Sequence, residues 1–418
     1  MIKQFSLFLF FVFGGLSVEA QTLKTGVLIV GNTSAAVAAA IQSARSGAKT
    51  LYLTQSLAIN PVFSEEDLPY IWNIRNHYLL KEKRRNKLTD SILNSKIKLD
   101  QAVNLVKTIA DTVNNLTLNH NNVVDEIAKD GKGWEIRLKG GQKIKADVIV
   151  DASDNLFLGS LLRIDLKKAL SVPVKTDHPF DTKLTRSGLA SGYIESGNKE
   201  SSIVTIPPAG LIPAGFENFI VVAKQIGQIK PIRMSLGQAA GTVAAYCAFF
   251  KTSTKTINIR VIQGELMAFN AVLIPYADID IKDPNFRAFQ QLGLSALMKL
   301  MPVKDGNINK IKFDTAGVVT AAELKIPMKE FYTRSQIWFA DNQVDTLSIA
   351  DAISLFMFTA TRGEELKKEI QEAWKVSFKF NSVFDPKRNI SRKEFGILAD
   401  RYLQPFNVRV DPAGNLLR

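Results

Sequence analysis

The chain has 418 residues, 46% of them apolar and 22% charged. That is apolar material for a large core and length for two or three domains, so general disorder is excluded. Lysine and arginine number 53 against 40 aspartate and glutamate, a net charge of +13. One cysteine, Cys247, excludes an internal disulfide framework, and three histidines far apart (His77, His120, His178) argue against a His-based metal centre.

Residues 1–20 read MIKQFSLFLFFVFGGLSVEA. Lys3 supplies a positive start, Phe5 to Val18 an apolar stretch, and Val18 and Ala20 small side chains for a signal peptidase. Fourteen residues cover about 21 Å as a helix, short of a bilayer core of about 30 Å. A cleaved signal is therefore expected, with Gln21 as the new N-terminus and a periplasmic, cell-surface or extracellular destination. No later run is long and apolar enough to span a bilayer, so a transmembrane protein is not expected. An exported basic chain meets anionic envelope polymers and lipid head groups rather than nucleic acid. Its densest basic run, Lys81 to Lys87, reads first as a solvated face.

From Gly26 the sequence reads GVLIVGNTSAAVAAAIQSARSGAKTLYLTQ. An apolar run ends in a glycine turn, an alanine-rich helix follows and closes at Ser46-Gly47, and a second strand occupies Leu51 to Thr54. This is a β-α-β unit whose strands are apolar enough for the middle of a parallel sheet. Residues 56–120 are weakly periodic. A strand near Val124 precedes GWEIRLKGGQKIKADVIVDAS, an antiparallel hairpin turning at Gly140-Gly141 and feeding a buried strand, Asp147 to Val150. Residues 165–205 are polar and poorly patterned. A Pro/Gly loop then leads to a buried strand, Phe219 to Ala223, and to a helix of small residues. Ser235 and Gln238 fit an S-x-x-Q capping box opening that helix.

Beyond about residue 265 the pattern turns helical. FDTAGVVTAAEL (313–324) and FDPKRNISRKEF (384–395) align without gaps. Each places a hydroxyl (Thr320, Ser391) three residues before a glutamate (Glu323, Glu394), the capping-box signature of a helix start. The expected organisation is a signal segment 1–20, an α/β domain 21–264 with a shortened insert (56–120 and 165–205), and a helical module 265–418 with a two-copy repeat.

The strand-turn-helix at 26–46 occupies the place of a dinucleotide fingerprint, where a helix N-terminus offers backbone N–H groups to a pyrophosphate. Four segments together resemble the bacterial FAD-dependent oxidoreductases of the glutathione-reductase-type flavin-binding fold, in particular exported members. They are VLIVGNTSAAVAAAIQSARSGAKTLYLTQ, WEIRLKGGQKIKADVIVDAS, IPPAGLIPAGFENFIVVAKQIG and IRMSLGQAAGTVAAYCA, spanning roughly 26–250. The resemblance implies a Rossmann-like FAD/NAD(P)-binding fold and FAD as cofactor for an oxidoreductase acting on a small molecule. It places Gly31, Asn32, Thr33 and Ser34 at the pyrophosphate and Gln55 at the ribose. Val124 falls at the adenine, Ser153 near the phosphates, and Gly237, Gln238, Ala239 and Ala240 near the flavin. The chain departs from the pattern at several points. Thr33 and Ala36 replace two glycines, Gln55 replaces the acidic residue, and Ala152-Ser153-Asp154 replaces Ala-Thr-Gly. A lost charged hydrogen bond weakens binding by about 1.5–3 kcal/mol.

No catalytic residue is assigned. The histidines read as loop or surface groups, Cys247 as a small core residue, and the pairs Glu65-Glu66 and Asp278/Asp280 have no supporting partners in the sequence. The departures also motivate another reading, a cofactor-free scaffold derived from a flavoprotein. The C-terminal repeat is similar to the S-layer-homology type of attachment unit, which implies an envelope polysaccharide as its partner. A third reading is a cationic binder of anionic surfaces.

Overall fold

The computed structural model describes residues 22–55, 61–76, 98–172, 174, 181–195 and 200–417. The expected signal segment, the Lys81 to Lys87 run, His77 and His178 lie outside them. Strand β1 (Leu23–Val30) turns at Gly31 into helix α1 (Ser34–Arg45), then β2 (Thr50–Leu53), helix α2 (Leu99–Thr112) and β3 (Leu116–Asn119). The Thr33 hydroxyl caps α1 by accepting from Ala36 N at 3.0 Å. Gly47, at φ +89°, turns the chain out of it as the Ser46-Gly47 pattern predicts.

Strand β4 (Val124–Asp130), β5 (Gly133–Leu138) and β6 (Lys143–Asp151) form the antiparallel meander, turning at Gly140 and Gly141. The end of β6 continues between β1 and β9 (Phe219–Val221), parallel to both. The parallel order is therefore β3-β2-β1-β6-β9, with β5 paired to the first half of β6 and β4 paired to β5. This is a mixed α/β, Rossmann-like sheet, as the sequence predicts. The short β9 lies on the same side of β6 as the hairpin, so one long strand serves two neighbours.

A second sheet has no counterpart in the sequence reading. It has the order β10-β7-β8-β12-β11, from β7 (Ala190–Glu195), β8 (Ser201–Ile206), β10 (Ile229–Pro231), β11 (Met301–Asp305) and β12 (Ile308–Lys312). Polar residues and the strand glycine Gly192 hide its alternation. Helices α3 (Arg233–Phe249) and α4 (Ile259–Ala268) complete this half, with α3 packed along α1.

The C-terminal region is mainly helical, although β11 and β12 within the expected 265–418 module join the second sheet, and it has its own apolar cluster centred on Phe289, Phe313, Leu347, Phe356, Ile390 and Phe395. Its helices are α5 (Phe286–Ser295), α6 (Ala321–Phe331), α7 (Ser335–Asp341), α8 (Ile349–Ala360), α9 (Glu365–Val376) and α10 (Arg392–Tyr402). Both expected capping boxes form, Thr320 with Glu323 and Ser391 with Glu394, and a third appears, Ser348 with Asp351. The three heads interlock. Leu347 N donates to Val319 O (2.9 Å), Ile390 N to Leu347 O (3.0 Å) and Arg392 N to Gly317 O (2.7 Å), closing a ring. Val319, Leu347 and Ile390 are fully buried at its centre.

Arg392 fastens that ring. Its side chain, 4% exposed, pairs with Glu323 and donates to Phe313 O (2.9 Å) and Lys299 O (2.6 Å). Truncation leaves Glu323 without its cation and two buried carbonyls without a donor. Arg392→Ala should cost about 3–5 kcal/mol in urea denaturation. Lys368→Ala, which removes an exposed ion pair at 3.9 Å to Glu372, should change stability by less than about 0.5 kcal/mol.

Candidate functional site

Helices α1 and α3 touch through their smallest residues. A Cβ on Gly237 would strike the Ala35 carbonyl oxygen, and one on Gly241 that of Ala39. Residues four apart share a helix face, so the pairs 35/39 and 237/241 make one seam. Numbers rise together along it, which makes the helices parallel and places their N-termini side by side. Helix N-termini carry partial positive charge, so two positive poles converge at the carboxyl ends of the parallel strands.

The sequence-predicted residues gather around this point. Gly31, Asn32, Thr33 and Ser34 form the turn into α1, and Gly31 has φ +145°. A Cβ on Gly31 would lie 2.5 Å from Ala152 O, so the turn requires glycine for close backbone approach to the end of β6. Thr33, at the second glycine position, points to that same neighbour: its Oγ1 donates to Ala152 O at 2.9 Å. Ser153 follows Ala152. Gly237, Gln238, Ala239 and Ala240 lie buried in the first turns of α3. Gln55 is exposed beyond β2, and Val124 is buried at the start of β4. Asn122 N donates to Thr54 O at 3.3 Å, which ties the end of β2 to the approach to β4.

Helix α3 starts elsewhere than the S-x-x-Q pattern predicts. It begins at Arg233 after Ile232, and no capping box forms at Ser235. The Ser235 hydroxyl instead accepts from Ser191 N (3.1 Å), fastening α3 to β7. Gln238 is 2% exposed, and its side-chain oxygen has no hydrogen-bond partner among the described residues.

The residue that caps α3 comes from the weakly periodic stretch. A 3-10 turn, Glu65–Asp67, precedes a helical segment over 68–76. It delivers Asp67, 1% exposed, to the head of α3, where one carboxylate oxygen accepts from Met234 N at 3.1 Å. The other accepts from Ser64 N (3.1 Å) and the Ser64 hydroxyl (3.3 Å). Burial raises the Asp67 pKa above the ordinary carboxylate value, against the lowering effect of these hydrogen bonds. The buried Ser34 hydroxyl, at the head of α1, faces this carboxyl without closing a hydrogen bond of ordinary geometry.

A second buried carboxylate, Asp151, ends β6. It accepts from the Ser153 hydroxyl (2.6 Å), Ser153 N (3.2 Å) and Gly159 N (2.9 Å), and burial raises its pKa. It thereby shapes the turn carrying Ser153, whose hydroxyl also accepts from Phe157 N at 2.8 Å. Asp154 projects outward to Lys224 (3.1 Å) and Arg233 (3.4 Å).

The lesser candidates resolve into structure. Cys247 is buried in α3, and burial pushes its thiol up to about 12, far from thiolate chemistry at neutral pH. Asp278 binds the backbone N–H groups of Phe313, Asp314 and Thr315, fixing the first repeat loop. Asp280 accepts from Lys282 N, and Glu65 and Glu66 are exposed. His120 follows β3. Among the described residues no group of three His, Cys, Asp or Glu is placed to hold a metal, and no helix is long and apolar enough to cross a membrane.

No family model and no curated protein matches the chain. Solved structures do. A p-nitrophenol 4-monooxygenase from Pseudomonas putida is 12% identical over 34% of this chain and 43% of its own, with a TM-score of 0.24. A bacillithiol disulfide reductase from Staphylococcus aureus is 17% identical over 32% of this chain and 39% of its own, with a TM-score of 0.22. A thioredoxin reductase from T. acidophilum is 21% identical over 30% and 34%, with a TM-score of 0.20. The match thus spans less than half the length of each of these chains.

The seam between α1 and α3 sets the geometry of the site, and it admits no added carbon. Gly241→Val should destabilise the fold by about 1–3 kcal/mol or more in urea denaturation, because the methyls meet backbone rather than a movable side chain. Gly264→Ala, in α4 with open space around the added carbon, should change stability by less than about 1 kcal/mol.

Proposed function

We propose that the α/β half is the nucleotide-binding part of an exported FAD-dependent oxidoreductase. The observation that carries this reading is the pair of parallel helix heads at the carboxyl ends of β1 and β6. Gly31 there lets the turn lie against the end of β6, and two buried polar atoms, Ser34 Oγ and Gln238 Oε1, lack ordinary partners. These atoms fit the diphosphate and ribityl portions of such a cofactor, which presents both donors and acceptors. Gly31, Asn32 and Ser34 would hold the diphosphate, Gln55 the adenosine ribose, and the backbone at Val124 the adenine. Thr33 and Ser153 shape the turn through Ala152 and Asp151. When bound, the flavin would supply the redox chemistry, while the chain binds and orients it. Passage through the membrane by the 1–20 segment, and a periplasmic or surface destination, belong to the same proposal.

A second reading is favoured by two observations. Asp67 already accepts from one backbone N–H at the head of α3, and the C-terminal region closes a ring of three capped helix heads where the sequence offers two. On this reading the α/β half serves as a cofactor-free scaffold, and the helical module attaches to an envelope polysaccharide.

One measurement separates them. Purified protein titrated with FAD should acquire flavin absorbance and melt at a higher temperature, by about 2–4 °C for each 1 kcal/mol of binding free energy in a domain of 150–250 residues. If saturating FAD changes neither quantity while an envelope polysaccharide retains the protein, the oxidoreductase reading is wrong and the scaffold reading stands.

A further inference from the structure

Asp67 stands where a ligand set against the head of α3 would have to be. Its carboxylate accepts from Met234 N at 3.1 Å, and a helix N-terminus of this kind favours a negative or electron-rich partner. The chain itself supplies that partner, from a segment 167 residues away in sequence. The placement is over-determined. Ser64 N and the Ser64 hydroxyl hold one carboxylate oxygen, Met234 N the other, and Ser34 on α1 faces the group from the opposite wall. The ionisable neighbours are Tyr70 on the 68–76 segment and Arg233 on α3, the latter pairing outward with Asp154. Glu66 contacts the Ser64 hydroxyl at 2.9 Å from the solvent side.

We propose that Asp67 is a resident anion at the head of α3, which competes with the cofactor for the Met234 N–H, so that the crevice loads fully only when this carboxylate is neutral or displaced. The proposal rests on the FAD reading and adds to it a specificity-determining residue of this chain. A backbone donor shared between two acceptors binds each less strongly, and an ionised carboxylate beside the cofactor's electron-rich edge adds repulsion. Population of the competent state is reduced accordingly, and apparent affinity falls by that fraction. Asp67 limits loading of the ligand and is assigned no step of chemistry.

The test compares FAD affinity, read by quenching of FAD fluorescence, in the full chain, in Asp67→Asn and in Asp67→Ser, with folding checked by circular dichroism. Asparagine keeps an acceptor for Met234 N and removes the charge, while serine also opens space. Both variants should bind FAD at least about tenfold more tightly than the unmutated chain. The unmutated chain should bind more tightly as pH falls, because protonation removes the competing charge, and Asp67→Asn should lose that dependence. Glu66→Gln, at the exposed neighbour, should leave affinity within about twofold. Equal or weaker binding by folded variants overturns the role of Asp67 and leaves the FAD reading standing. Should no form bind FAD at saturation, the FAD reading fails and this proposal fails with it. Should asparagine prevent folding, the serine variant and the pH dependence of the unmutated chain decide the matter on the same criteria.

Discussion

The seam between α1 and α3 is the constraint on which the site depends. Two helices in parallel, side by side, bring like poles together, an arrangement that helix dipoles disfavour. Here it is made possible by Gly237 and Gly241 lying directly on the backbone of Ala35 and Ala39, so that close packing outweighs the polar cost. Once the helices are fixed this way, their heads must be answered by negative or electron-rich groups. The Thr33 hydroxyl answers the first and the Asp67 carboxylate the second. The end of β6 comes to the same place through Ala152, and Asp151 holds the following turn through Ser153 and Gly159. Fold and site therefore share one cause.

Much of this was legible in the residues. The β-α-β unit, the Gly140-Gly141 hairpin and the capping boxes at Thr320 and Ser391 are local patterns, and local hydrogen bonds realise them. What escaped the sequence depends on distant partners. Strands β7 and β8 carry serines and Gly192 where alternation would be sought, and they become strands by pairing with each other and with β10 and β12. The third capping box uses Asp351 rather than glutamate and lacks the leading Phe-Asp, so a gapless alignment passes over it. Ser235 fits the box pattern but lies one turn too deep, because tertiary pairing with Ser191 begins α3 earlier. Asp67 could be singled out only by knowing what stands opposite.

The C-terminal region obeys a different logic. Its apolar cluster is distinct from that of the α/β half, and the starts of α6, α8 and α10 are each answered from within their own capping box. The ring of Val319, Leu347 and Ile390 makes the three starts mutually dependent, with Arg392 joining the first box to the third. Charge here is structural as well as solvating. The basic excess of the chain reappears in the α/β half as a groove of about 770 Å³ at the opposite end of the sheet from the helix heads. Lys24, Lys49, Lys132, Lys145 and Lys251 line it with Asp130 and Asp147. The two ends of the sheet thus present different chemistry, helix heads at one and lysine side chains at the other.

Hydrogen exchange, followed peptide by peptide with and without saturating FAD, tests the central claim most directly, because it reads the backbone groups that the helix heads present. The amides of 33–36 and 234–238 should exchange more slowly in the presence of the cofactor, together and ahead of the rest of the chain. Slowing confined to other regions, with both helix heads unchanged, would contradict the assignment of this crevice as the nucleotide site.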